Sequence, residues 1–314
     1  MSNVLITGAR GFIGKHLSRH LAAMGHRVSG IGHGIWPESE ASVWGMSHWI
    51  NGDITPGNLR VLQQAGGTPE VVFHLAGGAS VGAAIASPRE DFFRTVATTA
   101  ELLEWLRQDA PGARLVAVSS AAVYGAGHDG QIAEDARLAP FSPYGHHKLL
   151  MEQLCRSYAA CFAQPVVVAR LFSVFGPELK KQLLWDTCVR LARTPDTLEL
   201  GGTGNELRDW TEVHDVARAL GQLASVASTD VEVFNVGRGV GISVAKIASM
   251  LIDNWPELHA LKPTFSAISR PGDPFSLVAN PQRLIATGFE WQVPVEAGLS
   301  DYVRWFRRQW GSAA

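Results

Sequence analysis

Residues 7–14 read Thr-Gly-Ala-Arg-Gly-Phe-Ile-Gly and stand directly after an apolar run of strand length at residues 4–6. Three glycines at three-residue spacing between a strand and a helix constrain this chain more than any other feature. Glycine permits a tight turn and close backbone approach, and the following helix aims its unpaired N–H groups and positive dipole end at whatever the turn wraps. A pyrophosphate meets that description, so residues 7–14 predict a dinucleotide-binding turn at the head of a βαβ unit.

Beyond this turn the same rhythm repeats. Apolar runs of strand length at 27–31, 71–75, 114–119 and 166–171 alternate with amphipathic stretches at 12–24, 88–108 and 143–162. Short hydrophobic strands separated by helices predict an α/β fold built on a doubly wound parallel sheet covered on both faces. After Pro177 the pattern loosens into helices near 180–193, 213–223 and from Ser243, with strands near Leu198 and at 231–236. We therefore expect a dinucleotide-binding domain over residues 1–176, to which 211–240 return, and a second, smaller substrate-binding lobe from 177–210 and 241–314. A cleft is expected between them.

Composition narrows the partners. The 314 residues are 46% apolar and 18% charged with a formal net charge of -2, enough to bury a large core and too balanced to attract polyanions. No Lys/Arg run suggests nucleic-acid or membrane-surface binding, and no apolar stretch is long enough to span a bilayer. Cys155, Cys161 and Cys188 are odd in number and lack metal-type spacing, which predicts free thiols, no bound metal and a reducing compartment. With a core strand starting near Asn3 no room is left for a leader, and the cytoplasm is the expected location.

Residues 144–148 read Tyr-Gly-His-His-Lys. Ser142 and Pro143 suit the N-cap and first helical positions, so a helix from Pro143 toward Phe162 puts Tyr144 and Lys148 one turn apart on one face. A phenol titrates near pH ~10 in water, and a fixed ammonium beside it lowers that value. Tyrosine would carry the proton and lysine would tune it. His146 and His147 have no carboxylate or further histidine at ligand spacing and read as residues without a metal or acid–base role.

The choice of dinucleotide turns on the end of the second strand, where NAD-specific proteins place a carboxylate for the ribose hydroxyls. Here the chain reads Ser29-Gly30-Ile31-Gly32-His33. Gly32 removes the repulsion a carboxylate would exert on a 2′-phosphate, His33 adds a donor, and Arg10 can reach the same side. NADP(H) is favoured on this ground, with NAD as the alternative. Asp53 either accepts from the adenine amine or is a plain turn aspartate.

Taken in order, residues 7–14, Asp53-Ile54, His74-Leu75-Ala76, residues 119–125, residues 144–148, residues 172–177, Arg208-Asp209-Trp210, Asn235-Val236-Gly237 and residues 270–273 resemble the extended short-chain dehydrogenase/reductase family. The likeness is to its nucleotide-sugar epimerase, dehydratase and reductase branch and spans nearly the whole chain. It implies a Rossmann-type sheet with Gly8, Arg10, Gly11, Phe12, Ile13, Gly14, His33, Asp53, Ile54, Leu75, Ala76 and Gly77 around the cofactor. It also implies a catalytic set of Ser120, Tyr144 and Lys148. Ser120 would hydrogen-bond the reacting sugar oxygen, Tyr144 would carry its proton, and Lys148 would hold the nicotinamide ribose and depress the phenol. Ser119 reads instead as a strand-end cap.

Dehydratases of this branch carry an acidic pair directly after the catalytic serine or threonine, where this chain has Ala121 and Ala122. That disfavours dehydration and leaves two uses of one triad. The expected function is NADPH-dependent reduction of a nucleotide-linked 4-keto(-6-deoxy) sugar, and the alternative is 4-epimerisation. A non-catalytic cofactor-binding regulator is a third reading, opposed by the intact triad. On the resemblance a nucleotide-diphosphate sugar would meet Ser80, Ser120, Ala121, Ser173, Gln182, Arg208, Arg270 and Asp273, the arginines binding the diphosphate. Asp273 would orient Arg270, bind a ribose hydroxyl or cap a helix. Trp185, where the family commonly has proline, would stack on the base or plug the cleft. Thr95 and Ser173 stand where asparagines are usual, and His147 where a small residue is usual. A homodimer through the helix at 88–108 and the helix carrying Tyr144 is expected.

Overall fold

The computed structural model describes residues 1–194, 196–258, 261–268 and 274–311. Seven strands form the main sheet: β1 (Asn3–Thr7), β2 (Arg27–Gly32), β3 (Met46–Asn51), β4 (Val71–His74), β5 (Arg114–Ser120), β6 (Val166–Leu171) and β7 (Glu232–Val236). Their order is β7-β6-β5-β4-β1-β2-β3, and the pairings β3 with β2, β2 with β1, β1 with β4, β4 with β5 and β5 with β6 are all parallel. The chain winds outward from β1 to β3 and then crosses back to lay β4 on the other side of β1. At such a switch point the loops leaving the two strands part, and ligands bind at the carboxyl ends. The glycine turn after β1 and residues 75–80 after β4 are those loops.

Burial explains why these runs are strands. Every residue of β4 and of β6 is buried, as a parallel sheet covered on both faces demands. Four helices matter for the site: α1 (Phe12–Ala23), α2 (Pro56–Gly66), α3 (Thr98–Asp109) and α4 (Pro143–Phe162). Leu59 and Leu62 of α2, Leu102 and Leu106 of α3, and Met151 and Cys155 of α4 pack with Leu5, Ile31, Val72, Leu115 and Val168 of the sheet in one core. Each fully buried aliphatic side chain of this kind contributes about 1.5–3 kcal/mol. Cys155, Cys161 and Cys188 are free thiols. No helix among the described residues is long and apolar enough to cross a membrane.

The helix expected over 88–108 is interrupted. Pro88–Phe92 is α-helical, Phe93–Ala97 forms a π turn, and the α-helix resumes as α3. Threonines bond within the interruption: Thr98 and Thr99 donate their hydroxyls back to the Arg94 and Thr95 carbonyls, which competes with the regular ladder. Thr95 keeps its own hydroxyl for a bond outside the helix.

The chain divides into two compact units, residues 1–125, 134–171 and 216–235 in the first, and 126–133, 172–215 and 236–314 in the second. The first holds the main sheet. In the second, strands Gln131–Ile132, Leu207–Glu212, Gly241–Ser243 and Ser276–Ala279 build a further sheet with Ser173–Phe175 paired to Leu207–Glu212. Trp185, Trp255, Trp305 and Phe306 pack edge to face and tilted beside it, with ring centroids 5.2–6.0 Å apart.

Candidate active site

Gly11 is the N-cap of α1 and offers no side-chain bond, so the first N–H groups of the helix keep their outward direction. A Cβ on Gly14 would lie 2.7 Å from the Ala9 carbonyl oxygen, so only glycine lets helix and turn close here. Phe12 stacks edge-on to His16 at 5.7 Å, and Ile13 is half-buried. The Arg10 guanidinium lies against Gly34, just beyond β2, and its Nε is buried without a partner among the described residues. Such a turn, with an orphaned cationic donor at the end of β2, fits a dinucleotide. His33 and Asp53 face each other at 3.3 Å in an exposed pair, Ile54 is core, and the side-chain oxygen of Asn51 accepts the Gly34 amide.

Behind this turn the loop after β4 is anchored by a fully buried histidine. His74 Nε2 lies 2.9 Å from Thr99 Oγ1, and Nδ1 lies 2.7 Å from Thr7 Oγ1. Thr99 has spent its proton on the Thr95 carbonyl at 2.6 Å, so Nε2 carries the imidazole proton and donates it. Nδ1 then accepts from Thr7, whose oxygen also accepts the Ala76 amide at 3.2 Å. Every position is filled by the neutral ring, and burial pushes the His74 pKa down to about 3. Leu75, Ala76 and Gly77 leave this anchor half-buried, and Ser80 caps the helix Val81–Ala86 through the Ala83 amide.

The expected catalytic residues come together in the first unit. Ser120 ends β5 and accepts the Ala122 amide at 3.2 Å, capping a short turn over Ala121–Val123 in which Ala121 is buried. Helix α4 starts where Ser142 predicts, the serine accepting the Gly145 amide at 3.2 Å. Gly145 was not singled out by the sequence reading, yet a Cβ there would fall 2.6 Å from the Ala122 carbonyl. Its absence lets the first turn of α4 close on the Ser120 loop. The Ser120 hydroxyl acts on the Tyr144 phenol, favouring its ionised form, and Lys148, 4% exposed, donates from Nζ to the Val118 carbonyl at 2.9 Å.

The electrostatics correct one expectation. Burial raises the Tyr144 phenol above its ordinary value, the Ser120 hydrogen bond pulls it back, and the Asp91 carboxylate adds to the rise; Lys148 is not among the causes. Burial likewise lowers Lys148 to about 8, against upward pushes from Asp91 and Glu152. The chain by itself therefore holds the phenol protonated rather than depressed.

Ser119 is no simple cap. Its hydroxyl donates to Glu152 at 2.6 Å, Arg170 forks onto the same carboxylate at 2.8 and 3.0 Å, and Arg170 also donates to Tyr124, whose hydroxyl donates to Asn235 at 2.6 Å. Glu152 and Arg170 are each 2% exposed. A buried ion pair this fully bonded ties β5, β6, β7 and α4 together. Tyr124 belongs to this network.

In the second unit Ser173 opens a strand opposite Trp210, Gln182 starts the helix Gln182–Arg193 with a positive φ of 65°, and Arg208 donates to the Leu207 and Phe275 carbonyls. Arg270 and Asp273 lie outside the described residues. Trp185 packs against Trp305 and Phe306 of the helix Val295–Gly311, which is where the family's usual proline is replaced.

His147 also departs from its reading. Its Nδ1 lies 2.5 Å from Asp91 Oδ2, with side chains 13% and 5% exposed. The carboxylate lacking at ligand spacing in sequence is supplied 56 residues earlier. No sequence signal sets Asp91 apart from Glu90, Glu101 and Glu104 on the same predicted helix; its burial appears only in the structure.

The family model described as the NAD dependent epimerase/dehydratase family matches residues 4–237, three quarters of the chain. The chain belongs to this family. Among solved members of similar fold, MoeE5 in complex with UDP-glucuronic acid and NAD is 32% identical, with 98% of this chain and 99% of that chain covered and a TM-score of 0.84. The UDP-glucose 4-epimerase of Azospirillum brasilense is 30% identical over 323 residues, 96% of this chain and 90% of that one. A dTDP-glucose 4,6-dehydratase of Xanthomonas campestris is 27% identical over 332 residues, covering 98% and 93%. The epimerase/dehydratase family is one of extended short-chain dehydrogenase/reductase enzymes, and a nicotinamide dinucleotide is its cofactor.

Proposed function

We propose that the protein is a nucleotide-sugar 4-epimerase that works with NAD. One observation carries the reading: Ser120 at the end of β5 acts on the Tyr144 phenol at the start of α4, near the buried Lys148, and the loop after Ser120 has Ala121 and Ala122 where a dehydratase would have acids. Alanine cannot take the proton that dehydration must move. Relatives that act as 4-epimerases favour this over the reduction expected from sequence.

Bound NAD supplies a hydride acceptor, and donor on return, for the sugar carbon being inverted. Gly8, Gly11 and Gly14 with Phe12, Ile13, Leu75, Ala76 and Gly77 would hold it, and Arg10, His33 and Asp53 would meet its adenosine half. Ser120 would bind the oxygen at that carbon while Tyr144 takes its proton and later returns it to the same oxygen, the sugar having turned so that its opposite face receives the hydride. Lys148 would hold the nicotinamide ribose. Ser80, Ser173, Gln182, Arg208, Arg270 and Asp273 would hold the nucleotide sugar, and we take the working form to be a cytoplasmic homodimer. The second reading, an NADPH-dependent 4-keto-sugar reductase, is favoured by Gly32 and by the placement of Arg10 against Gly34.

Thermal unfolding with NAD and, in turn, UDP-, GDP-, TDP- and CDP-hexoses tests the binding half. A bound ligand at ~100 times its Kd raises stability by about 2.7 kcal/mol. A UDP-hexose is expected to raise the midpoint and then to be converted to its 4-epimer; stabilisation by a hexose that is never converted would overturn the reading.

A further inference from the structure

The Asp91–His147 pair has no part in the reading above. Asp91 lies in the short helix Pro88–Phe92, and a carboxylate as covered as this one is costly unless it is bonded. Its Oδ2 is bonded by His147 Nδ1, which must carry the proton because an ionised carboxylate only accepts. Oδ1 packs directly on Gly78, where an added Cβ would collide with it. The Gly78 amide donates to Thr95 Oγ1 at 2.8 Å, and a Cβ on Gly77 would stand 3.4 Å from Lys148 Nζ. A carboxylate, a threonine hydroxyl and the lysine ammonium thus close around one turn, residues 77–78.

We propose that Asp91 and His147 are positioning residues for the Tyr144–Lys148 pair, with His147 fixing the carboxylate and the carboxylate fixing the 77–78 turn and the charge that both Lys148 and Tyr144 face. The inference rests on the reading of Tyr144 and Lys148 as the proton-handling pair. It does not follow from the family pattern, which has a small residue where His147 stands.

Asp91 is set apart from the other charges nearby. On α4 the titratable neighbours are Glu152, one turn beyond Lys148 and bonded by Ser119 and Arg170, and Cys155, two turns beyond and packed in the core. On the facing helix Glu90 and Arg94 close on each other at 2.9 Å, and Arg89 lies over the Phe93 ring. The 77–80 turn and the helix Val81–Ala86 bring no titratable side chain. Asp91 is the carboxylate that acts on both Tyr144 and Lys148, raising the proton affinity of each.

The test uses the full chain with Asp91→Asn, His147→Ala and His147→Asn, each alone and combined with Tyr144→Phe. Rapid pH-jump titration of phenolate absorbance, taken as the difference with and without Tyr144→Phe, isolates the Tyr144 midpoint. Asp91→Asn is expected to lower that midpoint by about half a pH unit or more. Turnover on the epimerised UDP-hexose is expected to fall roughly tenfold to a hundredfold in kcat for His147→Ala, with KM little changed, as when supporting partners are lost elsewhere. His147→Asn, whose amide can still donate to the carboxylate, is expected to restore most of it. An unchanged midpoint with Asp91→Asn overturns the proposal even if turnover falls, and equal losses in the two His147 variants overturn the holding role of the imidazole. If Tyr144→Phe keeps turnover, the catalytic reading fails and the proposed role fails with it, while the titration separately reports whether carboxylate and phenol are coupled.

Discussion

Burial holds the Lys148 ammonium at about 8, which has a consequence for stability as well as for chemistry. Below about 8 the lysine is charged in both the folded and the unfolded chain and bears the full cost of burial. Between about 8 and its ordinary 10.5 the folded chain has released a proton that the unfolded chain keeps, so stability rises with pH across that window. Lys148→Met is therefore expected to unfold at higher denaturant concentration near neutral pH, by about 2 kcal/mol in cofactor-free protein, while losing turnover. Its stability should also lack the rise between about 8 and 10.5. Chemical denaturation across that range checks both, and an unchanged rise would contradict the assignment.

At the scale of elements, His74 joins β4 to β1 and α3 through Thr7 and Thr99. Its folded value is depressed to about 3 from 6.5, so the stability it supports is present above 6.5 and is lost as pH falls through 6.5 toward about 3. The loss is about 5 kcal/mol at most. Acid unfolding followed by circular dichroism should show this slope in the parent chain and a flatter one with His74→Gln. Equal slopes would mean that the imidazole is not the group being protonated.

The same elements mark what a sequence can reveal. Ser142, Pro143 and the glycine turn act on their own neighbours within three or four residues, so the start of α4 and the head of α1 could be read directly. The parallel pairing of the sheet follows from the spacing of its apolar runs, because parallel strands need crossover connections of that length. Partners brought together by folding were hidden. Ser119 looked like a cap because Glu152 and Arg170 are far away in sequence, and His147 looked idle because Asp91 arrives on another helix. The π turn was hidden as well, since Thr95, Thr98 and Thr99 are compatible with an ordinary helix and the Gly78 amide that bonds Thr95 comes from 17 residues earlier.

For the whole molecule, exposed apolar side chains gather on the helices flanking the first unit's site. Phe92, Phe93 and Leu150 are 38–48% exposed, more than a free surface needs to show in large apolar side chains so near one another in the fold. The expected outcome of light scattering after size exclusion is twice the chain mass. A Phe93→Glu substitution should shift it toward the single-chain mass, and a monomer in the parent would remove the dimer from the account.

The central claim is that one triad oxidises and re-reduces a single sugar carbon with no net use of cofactor. Proton NMR of the purified protein with UDP-glucose, UDP-galactose or UDP-glucuronate and catalytic NAD, with nicotinamide absorbance followed in the same sample, tests it most directly. The account predicts appearance of the 4-epimer of at least one sugar to a fixed ratio reached from either side, no lasting change in absorbance, and loss of conversion by roughly a hundredfold or more with Tyr144→Phe. Conversion only of a 4-keto sugar, with one NADPH consumed per product, would contradict it.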